Sequence, residues 1–81
     1  MKFIRKGREI VSLENVERVA LVDATFKRTR AGETITVVEW KIMIEYTDKA
    51  TRFIKTDLEG DAAFETMSKC FDRIEKILLE G

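Results

Sequence analysis

The only thiol in the sequence belongs to Cys70, and a thiol is the side chain here best suited to covalent catalysis. A catalytic thiol needs a neighbouring base or cation that lowers its pKa, and the usual base is histidine. The sequence contains no histidine. Cys70 also lies among apolar residues at helical spacing. We therefore interpret it as a reduced, buried, structural thiol.

Three acidic residues, Asp57, Glu59 and Asp61, are spaced two apart and could form a general acid–base pair. They come directly before an apolar pattern of helical period, where negative charge stabilises a helix N-terminus, and we favour that structural role. Metal-ligand spacing is absent, and the four glycines do not form a phosphate-binding loop. We therefore predict no catalytic residue, no cofactor, no metal ion and no small-molecule substrate: the protein is not an enzyme.

The composition indicates one small globular domain, residues 1–81, since hydrophobic residues make up 44% of the chain and charged residues 37%. The formal net charge is zero, which disfavours a dedicated nucleic-acid-binding protein. No apolar run approaches the roughly 20 residues of a membrane span, and the N-terminus lacks the apolar region of a secretory signal. Together with the single thiol, this predicts a cytoplasmic protein that does not bind membranes.

Apolar and polar residues alternate with the period of a β-strand in several segments. We predict strands at 2–5, 8–11, 17–28, 34–47 and 51–56. In segment 17–28, apolar residues lie on both faces near 19–22, which predicts a central strand covered on both sides. In segment 34–47, Trp40, Ile42 and Ile44 share one face, which we predict to be buried.

From residue 62 to 79 the apolar residues follow a helical period, with Asp61 as the predicted N-cap. Phe64, Phe71 and Leu78 lie on the apolar face together with Met67 and Ile74. We expect this face to pack on Trp40, Ile42 and Ile44. The predicted fold class is α+β: a single antiparallel five-stranded meander sheet packed by one C-terminal α-helix.

The opening segment, residues 7–19, reads GREIVSLENVERV. It resembles the opening of small bacterial and phage proteins in which a glycine hairpin leads through Leu-x-Asn-Val/Ile into a long strand. A β-meander and one C-terminal helix follow in those proteins, sometimes in a PH-like arrangement. The resemblance implies this fold type and no functional residue, since most such proteins have no assigned activity.

Positive and negative charges are unevenly distributed along the chain. Residues 1–30 carry eight basic and four acidic residues, whereas residues 31–81 carry seven basic and eleven acidic ones. In a simple meander the first and third turns lie at the same end of the sheet. That end would collect six cations, a candidate anion or nucleic-acid contact: Arg5, Lys6, Arg8, Lys27, Arg28 and Arg30. Alternatively, the acidic segment 57–61 neutralises them.

The predicted helix has an apolar arc of about 140°, wider than the roughly 100° that packing on one sheet needs. Its surplus edge holds Ala63, Cys70 and Ile77. The strand 34–46 is also longer than the helix, so part of its apolar face, near Ile35 or near Tyr46, lacks a cover. We predict a homodimer with candidate contacts at these four residues: Ala63, Cys70, Ile77 and Tyr46. A bent strand that hides its own surface, as in a small barrel, is the alternative.

These observations favour a small protein-interaction module that self-associates or binds another protein. The alternative function is weak nucleic-acid binding through a basic end formed by two β-turns. A flat apolar patch in the structure would favour association, and a concave pocket with convergent polar groups would favour an enzyme.

Overall fold

The computed structural model describes residues 2–80, which form five strands and one helix. The elements are β1 (Phe3–Lys6), β2 (Glu9–Ser12), β3 (Val16–Arg30), β4 (Glu33–Tyr46), β5 (Thr51–Ile54) and α1 (Gly60–Leu79). Their types and order confirm the α+β class with a C-terminal helix. The fifth strand ends at Ile54 and is shorter than predicted.

The strands form two antiparallel sheets, so the prediction of a single five-stranded sheet is wrong. One sheet pairs β1 with β2, and the other has the order β3-β4-β5. The separation occurs at residues 13–15. The Leu13 side chain is buried, and its backbone N–H donates to the Lys2 carbonyl oxygen at 2.9 Å. Asn15 then adopts a φ of 59°, which turns the chain before β3 begins.

The β3–β4 hairpin is the main element of the larger sheet. Its register runs from Val16 opposite Tyr46 to Arg30 opposite Glu33, with a bulge between Val16 and Arg18. Ala31 and Gly32 form its turn, and both have positive φ, as a two-residue hairpin turn requires. β5 pairs with β4 only from Ile42 to Glu45. The central strand is therefore β4, and β3 is an edge strand, which corrects the prediction for segment 17–28.

The core lies between the larger sheet and α1. Ile42 and Ile44 of β4 are fully buried with Met67 and Ile74 of the helix, as the apolar periods predict. Leu21 and Val19 of β3 lie opposite Ile42 and Ile44 and pack against the same cluster. The helix begins at Gly60 with Glu59 as the N-cap residue, so Asp61 lies in the first turn and is not the predicted N-cap.

The β1–β2 sheet supplies the second half of the core. Ile4 lies opposite Val11, and both side chains are buried in one cluster with Leu13, Met67 and Cys70. The small sheet thus covers the part of the helix that the larger sheet leaves uncovered. This explains why the wide apolar arc of the helix does not remain on the surface.

Trp40 and Phe64 form the predicted contact between β4 and the first turns of the helix. Their rings meet edge to face with the centroids 4.8 Å apart. Trp40 is half-buried, while Phe64 remains 42% exposed. The contact is confirmed, but Phe64 lies at the border of the core.

The tip of the β3–β4 hairpin, residues 27–36, projects from the rest of the domain, and we call it the arm. All ten residues are exposed. The molecule measures 50 × 23 × 21 Å along its principal axes, a long shape that this hairpin produces. The N-terminus of the helix reaches the base of the arm, where Glu59 contacts Arg28. Beyond that point the hairpin has no helix over it.

Candidate interaction surface

The six cations of the predicted basic end lie in two separate places. Glu9, beside the first turn, forms an ion pair with Arg52, which lies opposite Ile44 on β4. Arg28 lies opposite Ile35 on the same strand. These two positions on β4, Ile44 and Ile35, are nine residues apart, which corresponds to about 30 Å at 3.3 Å per residue. The prediction that Arg5, Lys6 and Arg8 gather with the arm cations is therefore wrong, since the first turn belongs to the other sheet.

Several of these cations also have partners within the chain. Arg28 contacts the Glu59 carboxylate at 3.1 Å and lies over the Phe26 ring. Arg30 lies opposite Glu33 in the hairpin register, and Lys6 is close enough to Cys70 to act on its thiol electrostatically. The acidic segment 57–61 reaches the base of the arm through Glu59. This agrees with the alternative prediction, in which this segment neutralises the cations.

Two of the four predicted dimer contacts lie differently from the prediction. Ala63 and Cys70 are buried within the chain, so neither can contact a second copy. Ile77 is half-buried and packs against the core. Tyr46 is half-buried at the end of β4. The physical reason is the β1–β2 sheet, which occupies the side of the helix that a partner was predicted to cover.

Tyr46 connects the two sheets, because its hydroxyl donates to the Ser12 carbonyl oxygen at 2.6 Å. Burial raises the pKa of this phenol. We expect Tyr46→Phe to lower the free energy of unfolding by about 1 kcal/mol, the usual net value of such a hydrogen bond. Urea unfolding at pH 7 measures this difference. The difference should shrink above about pH 10, where the unfolded-state phenol ionises and the wild type alone loses stability. Equal stability of the two proteins at pH 7 would contradict the structural role.

The outer edge of β3 is the longest unpaired backbone surface of residues 2–80. β3 has 15 residues and hydrogen-bonds only to β4. Its segment 19–22, Val-Ala-Leu-Val, carries no charge, and Arg18 and Asp23 flank it. An exposed edge of this kind presents N–H and C=O groups to which another strand can pair.

The outer face of the larger sheet, which points away from the helix, is partly apolar. Ala20, Val22 and Ala24 of β3 lie there at every second position, and Ala20 lies opposite Met43. Next to Met43 on β5, Phe53 is 39% exposed, and the Lys41 ammonium lies 4.7 Å from its ring centroid. The apolar residues on both faces of β3 were the sequence signal for this surface. They predict a cover. Toward the arm the same face is covered, since Val37, opposite Phe26, is 5% exposed, whereas Ala20 and Met43 are half-buried.

A groove of about 480 Å³ runs between the start of β3 and the C-terminal half of the helix. Its floor is apolar and comprises Val16, Val19, Phe71, Ile74, Leu78 and Leu79. Leu79 is 80% exposed, the most exposed large apolar side chain among residues 2–80. The charged side chains that line the groove are Lys2, Glu14, Glu17, Arg18 and Glu75. No histidine or thiol lines it, and its charged groups lie along the rim of an open surface.

The two ends of β3 differ in charge. At the start of the strand the groove has three carboxylates, Glu14, Glu17 and Glu75, against two cations. The cation Arg18 already forms an ion pair with Glu45 at 3.6 Å. At the other end, the arm carries Lys27, Arg28 and Arg30 against Glu33. Because Glu17 is itself paired with Lys49 at 3.2 Å, the start of β3 is close to charge balance, whereas the arm is basic.

The chain matches no protein-family model, no curated protein and no solved structure. Within residues 2–80, no group of three or more Cys, Asp or Glu side chains is placed to hold a metal ion. No helix of this part of the chain has both the length and the apolar composition to cross a membrane.

Proposed function

We propose that the protein is a small interaction module that self-associates by pairing the β3 edges of two copies. The observation that carries this proposal is the edge itself, a 15-residue strand hydrogen-bonded on one side only. Strand addition supplies partners for the backbone groups of such an edge, and side chains on both faces of the joined sheet add contacts.

Segment 19–22 of β3 supports pairing because it contains neither a proline nor a charge; the bulge between Val16 and Arg18 and the charge of Asp23 lie on either side of it. Natural edge strands are short, contain proline or carry inward-pointing charges. The chain contains no proline, and segment 19–22 has no charge. The small side chains of Ala20 and Ala24 allow close approach on the outer face, on either side of Val22.

Pairing of two copies also suits the commonest symmetry of small oligomers. A two-fold dimer presents the same surface twice, so one edge serves both copies. The joined sheet would have six strands, with both helices on one side and the apolar outer faces aligned on the other. In the joined sheet the β3 strands become the two central strands, which matches their apolar residues on both faces.

Nucleic-acid binding has less support in this geometry. The sequence predicted nucleic-acid binding from a cluster of six cations. In the structure these cations lie at two sites about 30 Å apart along β4. At the arm, Arg28 is paired with Glu59. Three cations against Glu33 make a small basic surface for binding phosphates.

The variant Val22→Lys tests the proposal. In a symmetric edge dimer, a charge on the outer face near the centre of β3 lies close to its own copy, and like charges across two strands repel. Because the burial of two valines is lost as well, we expect the dissociation constant of the dimer to rise about 100-fold. The control Val22→Thr keeps the β-branched shape without a charge and should remain a dimer.

Sedimentation at micromolar concentrations measures the outcome. The wild type and Val22→Thr should sediment at about twice the 9.4 kDa of one chain, and Val22→Lys at 9.4 kDa. Circular dichroism should show that Val22→Lys keeps its fold, because this half-buried side chain lies on the outer face and outside the core cluster. A wild type that stays at 9.4 kDa up to about 100 μM would rule out the proposal. A dimeric Val22→Lys would place the interface elsewhere.

A further inference from the structure

We draw no further inference here: the strongest candidate, the groove between the start of β3 and the C-terminal half of the helix, has an apolar floor and a rim close to charge balance, and nothing in the structure shows what covers it.

Discussion

Replacing Leu13 with alanine is expected to lower the free energy of unfolding by about 2–5 kcal/mol, the range for a buried leucine. Leu13 is 1% exposed and packs in one cluster with Ile4, Val11 and the helix. Domains of this size are stable by about 4–12 kcal/mol, so the loss is a large part of the total. Urea unfolding followed by circular dichroism measures it.

The matched control for Leu13→Ala is Ile10→Ala. Ile10 lies on β2 of the same small sheet, but its side chain is 60% exposed. We expect a change within about 0.5 kcal/mol, as for most surface substitutions. If the two variants lost stability equally, the small sheet would not be packed by its inner face against the helix.

Cys70→Ser is expected to lower the free energy of unfolding by about 1–3 kcal/mol, because it places a hydroxyl among apolar side chains. The thiol is free and buried, at 5% exposure, in the core cluster. Cys70→Ala is the control, since it removes the sulfur without adding a polar group. The difference between the two variants isolates the cost of the hydroxyl.

The native thiol should also react slowly with a thiol reagent. Reaction requires an opening of the core, and an opening that costs about 3 kcal/mol slows labelling by roughly 100-fold relative to the unfolded chain. Burial raises the pKa of Cys70, with Lys6 and Arg73 opposing the shift. The folded protein therefore holds this proton more tightly than the unfolded one, and stability should decrease as the pH rises above about 8.5. Rapid labelling at pH 7 would contradict the buried position.

The periodicities of the sequence were sufficient to predict each element and the centre of its buried face, although Ala63 and Cys70 were assigned to an uncovered edge of the helix and are buried. Ile42 and Ile44 on one strand face and Met67 and Ile74 on the helix pack as their spacing indicates. The division into two sheets was not predictable, because alternation shows which way a side chain points but not which strand pairs with which. The break depends on Leu13, whose burial is decided by tertiary packing.

The candidate surface was predictable only in part, for the same reason. The cations of the two turns were placed together because a single meander was assumed, and the second sheet separates them. The apolar residues on both faces of β3 were visible in the sequence. Whether such a strand is central or at an edge depends on the pairing of the whole chain, so the open edge appeared only in the structure.

The connection of β3 to β4 by a two-residue turn has a consequence for the order of folding. β3 and β4 follow each other in the chain, so closing the hairpin costs little chain entropy. The cross-strand pairs nearest the turn, Arg30–Glu33 and Thr29–Thr34, are polar, whereas the apolar pairs begin further along the hairpin. We therefore expect the hairpin to become stable only when the helix docks on Ile42 and Ile44, so that the two form together as the folding nucleus. The small sheet, joined through Leu13, would then consolidate after the rate-limiting step.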